Sequence, residues 1–169
     1  MTVDAYDTRP AIQKKYISTK EYKDAFPVAY RQWRADSHCN HVHGYALTFR
    51  FWFETDELDV RNWAMDYGGL KPLKSTLEDL FDHVLLVAED DPEKDTLMTL
   101  QGVGAAKITL VDKTGCEGLA DWLYEYINTI FLPNYGKAEA ERLWCSRVEV
   151  RETAANMAMR CGHREWNEF

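Results

Sequence analysis

The chain has 169 residues, 46% hydrophobic and 13% aromatic, which suits one domain with a sizeable core and excludes a disordered composition. A formal charge of −8 argues against a nucleic-acid partner, which needs a basic face, though it leaves room for a local pocket for an anionic small molecule. No apolar run is long enough to span a membrane, residues 1–7 lack the basic and apolar segments of a secretory signal, and four scattered cysteines fit a reduced, cytoplasmic protein better than a disulfide scaffold.

In chain order, residues 26–35 read as a first strand, paired antiparallel with the next through a turn at 36–41. That turn opens the densest chemistry in the chain. The run Ser37-His38-Cys39-Asn40-His41-Val42-His43-Gly44-Tyr45 holds three of the five histidines and one of the four cysteines. Imidazole and thiolate are the groups zinc prefers, and the groups that move protons near neutral pH. From Tyr45 onward, Leu47, Phe49, Phe51 and Phe53 alternate with Ala46, Thr48, Arg50 and Trp52, so a strand with one buried face is expected. The same phase carried backward puts His43 and His41 on the core side, where side chains at i and i+2 can reach one ion. His38 falls at the hairpin end.

Leu70, Leu73, Leu77, Leu80 and Phe81 recur at helical spacing after Gly68-Gly69, with Pro72 near the start. This helix is expected to end near Asp82-His83. Residues 90–104 read as a polar loop and 107–111 as a short strand. Thr114 and Glu117 fit a capping box, followed by a helix burying Leu119, Leu123, Tyr126 or Ile127, and Ile130, and stopping at Pro133. In residues 147–153, Val148, Val150 and Glu152 share one face of a strand. A carboxylate ending a core-facing stripe needs a cationic or donor-rich partner, because burying an unpaired charge is costly. The segment after Thr153 reads as a loose tail. The order is β-β-α-(β)-α-β, a hairpin-rich α+β domain covering 1–169 with its core at about 22–153.

These motifs in this order resemble the 6-pyruvoyltetrahydropterin synthase and 6-carboxytetrahydropterin synthase family. Cys39 to Tyr45 is similar to its C-x-x-x-H-G-H run, Met65-Asp66-Tyr67 to its I-D-F, and Phe81-Asp82-His83 to its L-D-H. Gly115-Cys116-Glu117 with Leu119-Ala120 is similar to T-S-E-x-L-A, and residues 148–153 to V-x-V-x-E-T. The resemblance implies a tunnelling T-fold: a four-stranded antiparallel sheet with two helices on one face, closed by homo-oligomerisation into a β-barrel ring. It implies a lyase acting on 7,8-dihydroneopterin triphosphate, with 6-carboxytetrahydropterin, on the way to queuosine, as the preferred product. It assigns Cys39, Asp82 and His83 to proton transfer, Glu152 to anchoring the pterin ring, and zinc to a set of three histidines.

The second histidine of H-G-H is Tyr45 here, and the first-strand histidine corresponds to His38 or, in a looser alignment, to Tyr30. Two readings follow: His38, His41 and His43 bind zinc, or the zinc site is lost and Tyr45 contacts substrate. The function alternatives are a 6-pyruvoyltetrahydropterin synthase, a zinc-free dihydropterin side-chain lyase, and a non-catalytic scaffold with a structural zinc hairpin. Plainer readings stand beside each residue. Cys39 can be a buried thiol or a structural ligand, Asp82-His83 a favourable helix end, Glu152 an ion pair with Arg151 or Arg147, and Glu117 a cap alone.

Overall fold

The computed structural model describes residues 14–162. Its strands are β1 (Tyr16–Tyr30), β2 (His43–Thr55), β3 (Val84–Ala88), β4 (Lys107–Val111), β5 (Trp144–Arg151) and β6 (Met157–Cys161). Its helices are α1 (Lys71–Phe81), α2 (Lys94–Gly102), α3 (Cys116–Tyr126), α4 (Leu132–Tyr135) and α5 (Lys137–Arg142). The strands form one mixed sheet in the order β4-β3-β1-β2-β5-β6. The β1–β3 and β3–β4 pairs are parallel and the other three are antiparallel.

The expected alternation builds the core. Leu47, Phe49, Phe51 and Phe53 of β2 and Val148 and Val150 of β5 face Leu73, Leu77 and Phe81 of α1 and Leu119 and Leu123 of α3 in one buried cluster. Each fully buried aromatic or leucine side chain contributes about 1.5–3 kcal/mol by leaving water. The opposite face is polar, with Arg50 paired to Glu21 at 2.6 Å and Arg151 to Glu149 at 2.9 Å.

The sheet has six strands rather than the expected four. Two come from a β3-α2-β4 unit between α1 and α3. Parallel strands need a long crossover, and α2 supplies it inside the stretch expected to be a polar loop. All five β3 residues are buried, the continuous apolar run of a strand covered on both faces. The expected loose tail instead contains β6, which pairs with β5 from Arg147↔Cys161 to Arg151↔Met157. The end of that tail, and the residues read for a secretory signal, lie outside the described residues.

The first strand begins at Tyr16, not residue 26. Its register against β2 shifts between Tyr22 and Phe26, leaving Lys23, Asp24 and Ala25 exposed. A bulge of this kind breaks the period that pattern reading depends on. The strand also ends earlier, at Tyr30, because the following residues are drawn aside. Arg31 pairs with Asp91 at 3.0 Å, Arg34 with Asp90 at 2.6 Å, and the Thr114 hydroxyl donates to the Arg31 carbonyl at 2.8 Å. The Gln32 N–H donates to the Cys39 carbonyl at 2.8 Å and closes the loop over a 3₁₀ turn at His38–Asn40.

With its hydroxyl committed to Arg31, Thr114 does not form the expected capping box. Gly115 is the N-cap of α3, and no side chain caps this end. Nor does the helical path stop at Pro133. A π segment, Ile127–Phe131, carries it into α4, where Pro133 sits in the first turn and loses no hydrogen bond. The Asn128 amide donates to the Tyr124 and Cys145 carbonyls, both at 3.0 Å, and ties that segment to β5. The wider turn buries Ile127 but leaves Ile130 half exposed. Among the described residues, no helix is long and apolar enough to cross a membrane.

Candidate functional site

Strand pairing assembles a polar cluster at one end of this core. Tyr30 and His43 are direct partners across β1 and β2, and Tyr45 lies opposite Val28. Tyr30, His43 and Tyr45 therefore share one face. Their ring centroids are 5.8 Å (Tyr30–His43), 5.3 Å (Tyr30–Tyr45) and 5.0 Å (His43–Tyr45) apart. Glu152, just past β5, reaches the same point, and the Tyr30 hydroxyl donates to its Oε1. Arg151 turns to Glu149 instead, so the donor that the Glu152 position demands is a phenol rather than an arginine. The thiol of Cys116, buried in the first turn of α3, lies near enough to Glu152 to feel its charge. Cys39 approaches from the loop, near enough to act electrostatically on Tyr45.

The hydrogen bonds select one tautomer of the neutral His43 ring. His43 Nδ1 lies 2.6 Å from the His41 carbonyl, so it carries the proton, because a carbonyl only accepts. Nε2 is then the acceptor in the neutral ring, and the Tyr45 hydroxyl, 3.1 Å away, donates into it. Burial first, and then the Glu152 carboxylate, hold the Tyr30 phenol far above the ordinary tyrosine range. Burial, with lesser contributions from Glu152, Cys39 and Cys116, raises Tyr45 as well. Burial and then Glu152 push the Cys116 thiol up to about 12.

A three-imidazole zinc site needs its rings converging on one point. His38 and His41 are exposed on the turn, and His41 Nδ1 is 3.3 Å from the His38 carbonyl. Only His43 enters the cluster, and both its nitrogens already have partners. Among the described residues, no three His, Cys, Asp or Glu side chains form a group able to hold a metal ion. The donor set as placed does not fit a three-histidine zinc site.

Asp82 and His83 stand apart from the cluster. His83 follows α1 with φ 56°, a left-handed turn that leads the chain into β3. Its Nδ1 is 2.8 Å from Asp82 Oδ1, and its side chain is 80% exposed. Because Val84 pairs with Val28, His83 lies roughly 10 Å below Tyr30 along the strand direction, three residues of strand rise, and one strand over. Glu117 is exposed. Sequence reasoning gave Cys116 no partner and offered Tyr30 only through the looser alignment. The available signal was that Tyr30 continues the Phe26, Val28 stripe of β1.

Comparisons with known proteins agree with this architecture. The profile of the 6-pyruvoyl tetrahydropterin synthase family matches residues 19–162. No curated protein gives a match. Among solved structures, an uncharacterized protein from Wolinella succinogenes is 20% identical, with a TM-score of 0.72 over 88% of this chain and 99% of that one. A catalytic-residue mutant of Plasmodium vivax 6-pyruvoyltetrahydropterin synthase is 11% identical, with a TM-score of 0.61 over 87% and 97%. The Caenorhabditis elegans 6-pyruvoyl tetrahydropterin synthase is 19% identical, with a TM-score of 0.56 over 90% and 100%. At these identities the likeness to solved structures establishes the shared fold. The profile covers most of the described residues, from β1 to the residue after β6, and on that ground the chain belongs to the 6-pyruvoyl tetrahydropterin synthase family.

Proposed function

We propose that this chain is a lyase converting 7,8-dihydroneopterin triphosphate to 6-carboxytetrahydropterin. The observation that carries this reading is the convergence of Tyr30, His43, Tyr45 and Glu152 from separate segments at one end of the sheet, in a chain of this family. The synthases among its structural neighbours support a pterin substrate.

In this reading Glu152 anchors the heterocycle. A carboxylate has about four lone-pair positions, so one donor, Tyr30, orients it while leaving capacity for the N–H groups of an amino-pyrimidine edge. Cys39, on the loop beside Tyr45, takes a proton from the substrate side chain as thiolate. Triphosphate then leaves by elimination, the two outer side-chain carbons leave as acetaldehyde, and water supplies the second oxygen of the carboxylate. His83 exchanges the second proton. Its Nδ1–H is held by Asp82, which leaves Nε2 as the working lone pair. Because this dyad is solvent-facing and displaced from the cluster, it serves the site of a neighbouring copy in a homo-oligomeric ring.

The purified chain, incubated with 7,8-dihydroneopterin triphosphate, should release triphosphate, acetaldehyde and a product with the mass of 6-carboxytetrahydropterin. Cys39→Ala should abolish turnover. A product with the mass of 6-pyruvoyltetrahydropterin would move the assignment to the other branch, and unconsumed substrate would overturn the lyase reading.

A further inference from the structure

The second position of the family's H-G-H pair carries a phenol, Tyr45, and in the looser alignment so does the first-strand position, Tyr30; both hydroxyls already donate. Tyr30 donates to Glu152, and Tyr45 donates to His43 Nε2 at 3.1 Å. The only lone pair on the His43 ring is therefore in use, since Nδ1 is tied as a donor to the His41 carbonyl at 2.6 Å. A cation placed here would have to displace the Tyr45 hydroxyl from His43 Nε2 and the Tyr30 hydroxyl from Glu152 before either group could bind it. It would still meet a single imidazole, because His38 and His41 lie exposed on the turn.

We propose that this centre is a metal-independent phenol–imidazole site whose ligand is a hydroxyl group rather than a divalent cation. A hydroxyl reaching the cluster donates to the Tyr45 oxygen, whose own proton points at His43 Nε2. The three groups form one directional chain, ligand O–H to Tyr45 O–H to His43, which polarises along its length. Tyr30 stands outside this chain as a positioning residue. Its hydroxyl is committed to Glu152 and occupies part of that carboxylate's acceptor capacity. The family's chemistry would then be supported here by hydrogen bonding where relatives of the pattern use an ion. This inference concerns the centre and does not depend on which pterin product is formed.

The test is metal retention, independent of turnover. The full chain is exposed to excess zinc or cobalt chloride, desalted, and analysed for metal content and for cobalt absorption bands. Wild type should keep less than about 0.1 equivalent at this centre, and Tyr30→His combined with Tyr45→His should gain about one equivalent by completing a three-imidazole set with His43. Metal that wild type retains and His43→Ala does not release lies elsewhere and agrees with the proposal. One equivalent retained by wild type and lost in His43→Ala overturns it. A double variant that keeps wild-type circular dichroism but stays empty overturns it too, because the phenols would not be what bars the ion. If the double variant does not fold, wild type against His43→Ala still decides.

Discussion

Glu152 is oriented by the Tyr30 hydroxyl, so replacing donor and acceptor one at a time separates orientation from charge. Tyr30→Phe removes the hydroxyl and leaves the carboxylate, which forfeits one hydrogen bond to a charged group, about 1.5–3 kcal/mol in a buried setting and less here because Glu152 is part-exposed. Glu152→Gln removes the acceptor charge itself. Affinity for a pterin such as neopterin, measured by calorimetry, should fall roughly tenfold in Tyr30→Phe and further in Glu152→Gln. Unchanged affinity in Glu152→Gln would remove that residue from the site. The cysteines divide in the same way. Burial pushes Cys116 and Cys145 up to about 12, so at pH 8 their thiolate fraction is about 10⁻⁴. Iodoacetamide at that pH should label the loop thiol of Cys39 and the exposed Cys161 first, as read by peptide mass. Labelling of Cys116 as fast as Cys39 would mean that the cluster stands open. The histidine-rich turn and the inward phase of Glu152 were legible in the sequence because each is a local pattern. The roles of Tyr30 and Cys116 were not, because they arise from strand register and from where α3 begins.

The junction of β4 and α3 sets the position of the loop that carries Cys39. Gly115 has φ +93°, a conformation other residues adopt only under strain, and a Cβ there would collide with the Gln32 side-chain amide. Gln32 in turn donates its backbone N–H to the Cys39 carbonyl, while neighbouring Thr114 holds the Arg31 carbonyl. Gly115→Ala should therefore destabilise the fold by about 1–3 kcal/mol, lowering Tm, and should speed alkylation of Cys39 by loosening its loop. A lowered Tm with unchanged Cys39 labelling would uncouple the junction from the site. The capping-box reading of Thr114 and Glu117 failed at this point because a tertiary acceptor, the Arg31 carbonyl, outcompeted the local one. Elements with a clean period, β2 and α1, were legible almost to their ends. The run Val84–Ala88 has no period at all, since both faces are covered, and α2 has no buried residue to mark its inner side.

Among the described residues, the sheet ordered β4-β3-β1-β2-β5-β6 has two unpaired edges, and unpaired edges invite strands from another copy. At the β6 edge, Met157 is 43% and Met159 38% exposed, while Ala158 between them packs toward the core. Two apolar side chains on the uncovered face of an edge strand are a liability in a monomer and an asset in an assembly. Chain order alone concealed this, because the pairing partner of residues 157–161 is set by the register of β5 and not by any pattern within the segment. The proposed ring can be tested at this edge. Light scattering after gel filtration should give a multiple of the chain mass, and Met159→Lys, which places a charge on the exposed face without touching the core side, should shift the distribution toward the single chain. Far-ultraviolet circular dichroism should not change, since Met159 stands outside the buried core cluster. If wild type runs as a monomer, the ring fails, and with it the assignment of Asp82–His83 to a neighbouring copy's site. If wild type assembles and Met159→Lys assembles equally well, the contact belongs to the β4 edge, where Leu110 is 43% exposed, and Leu110→Lys becomes the variant that must disrupt it.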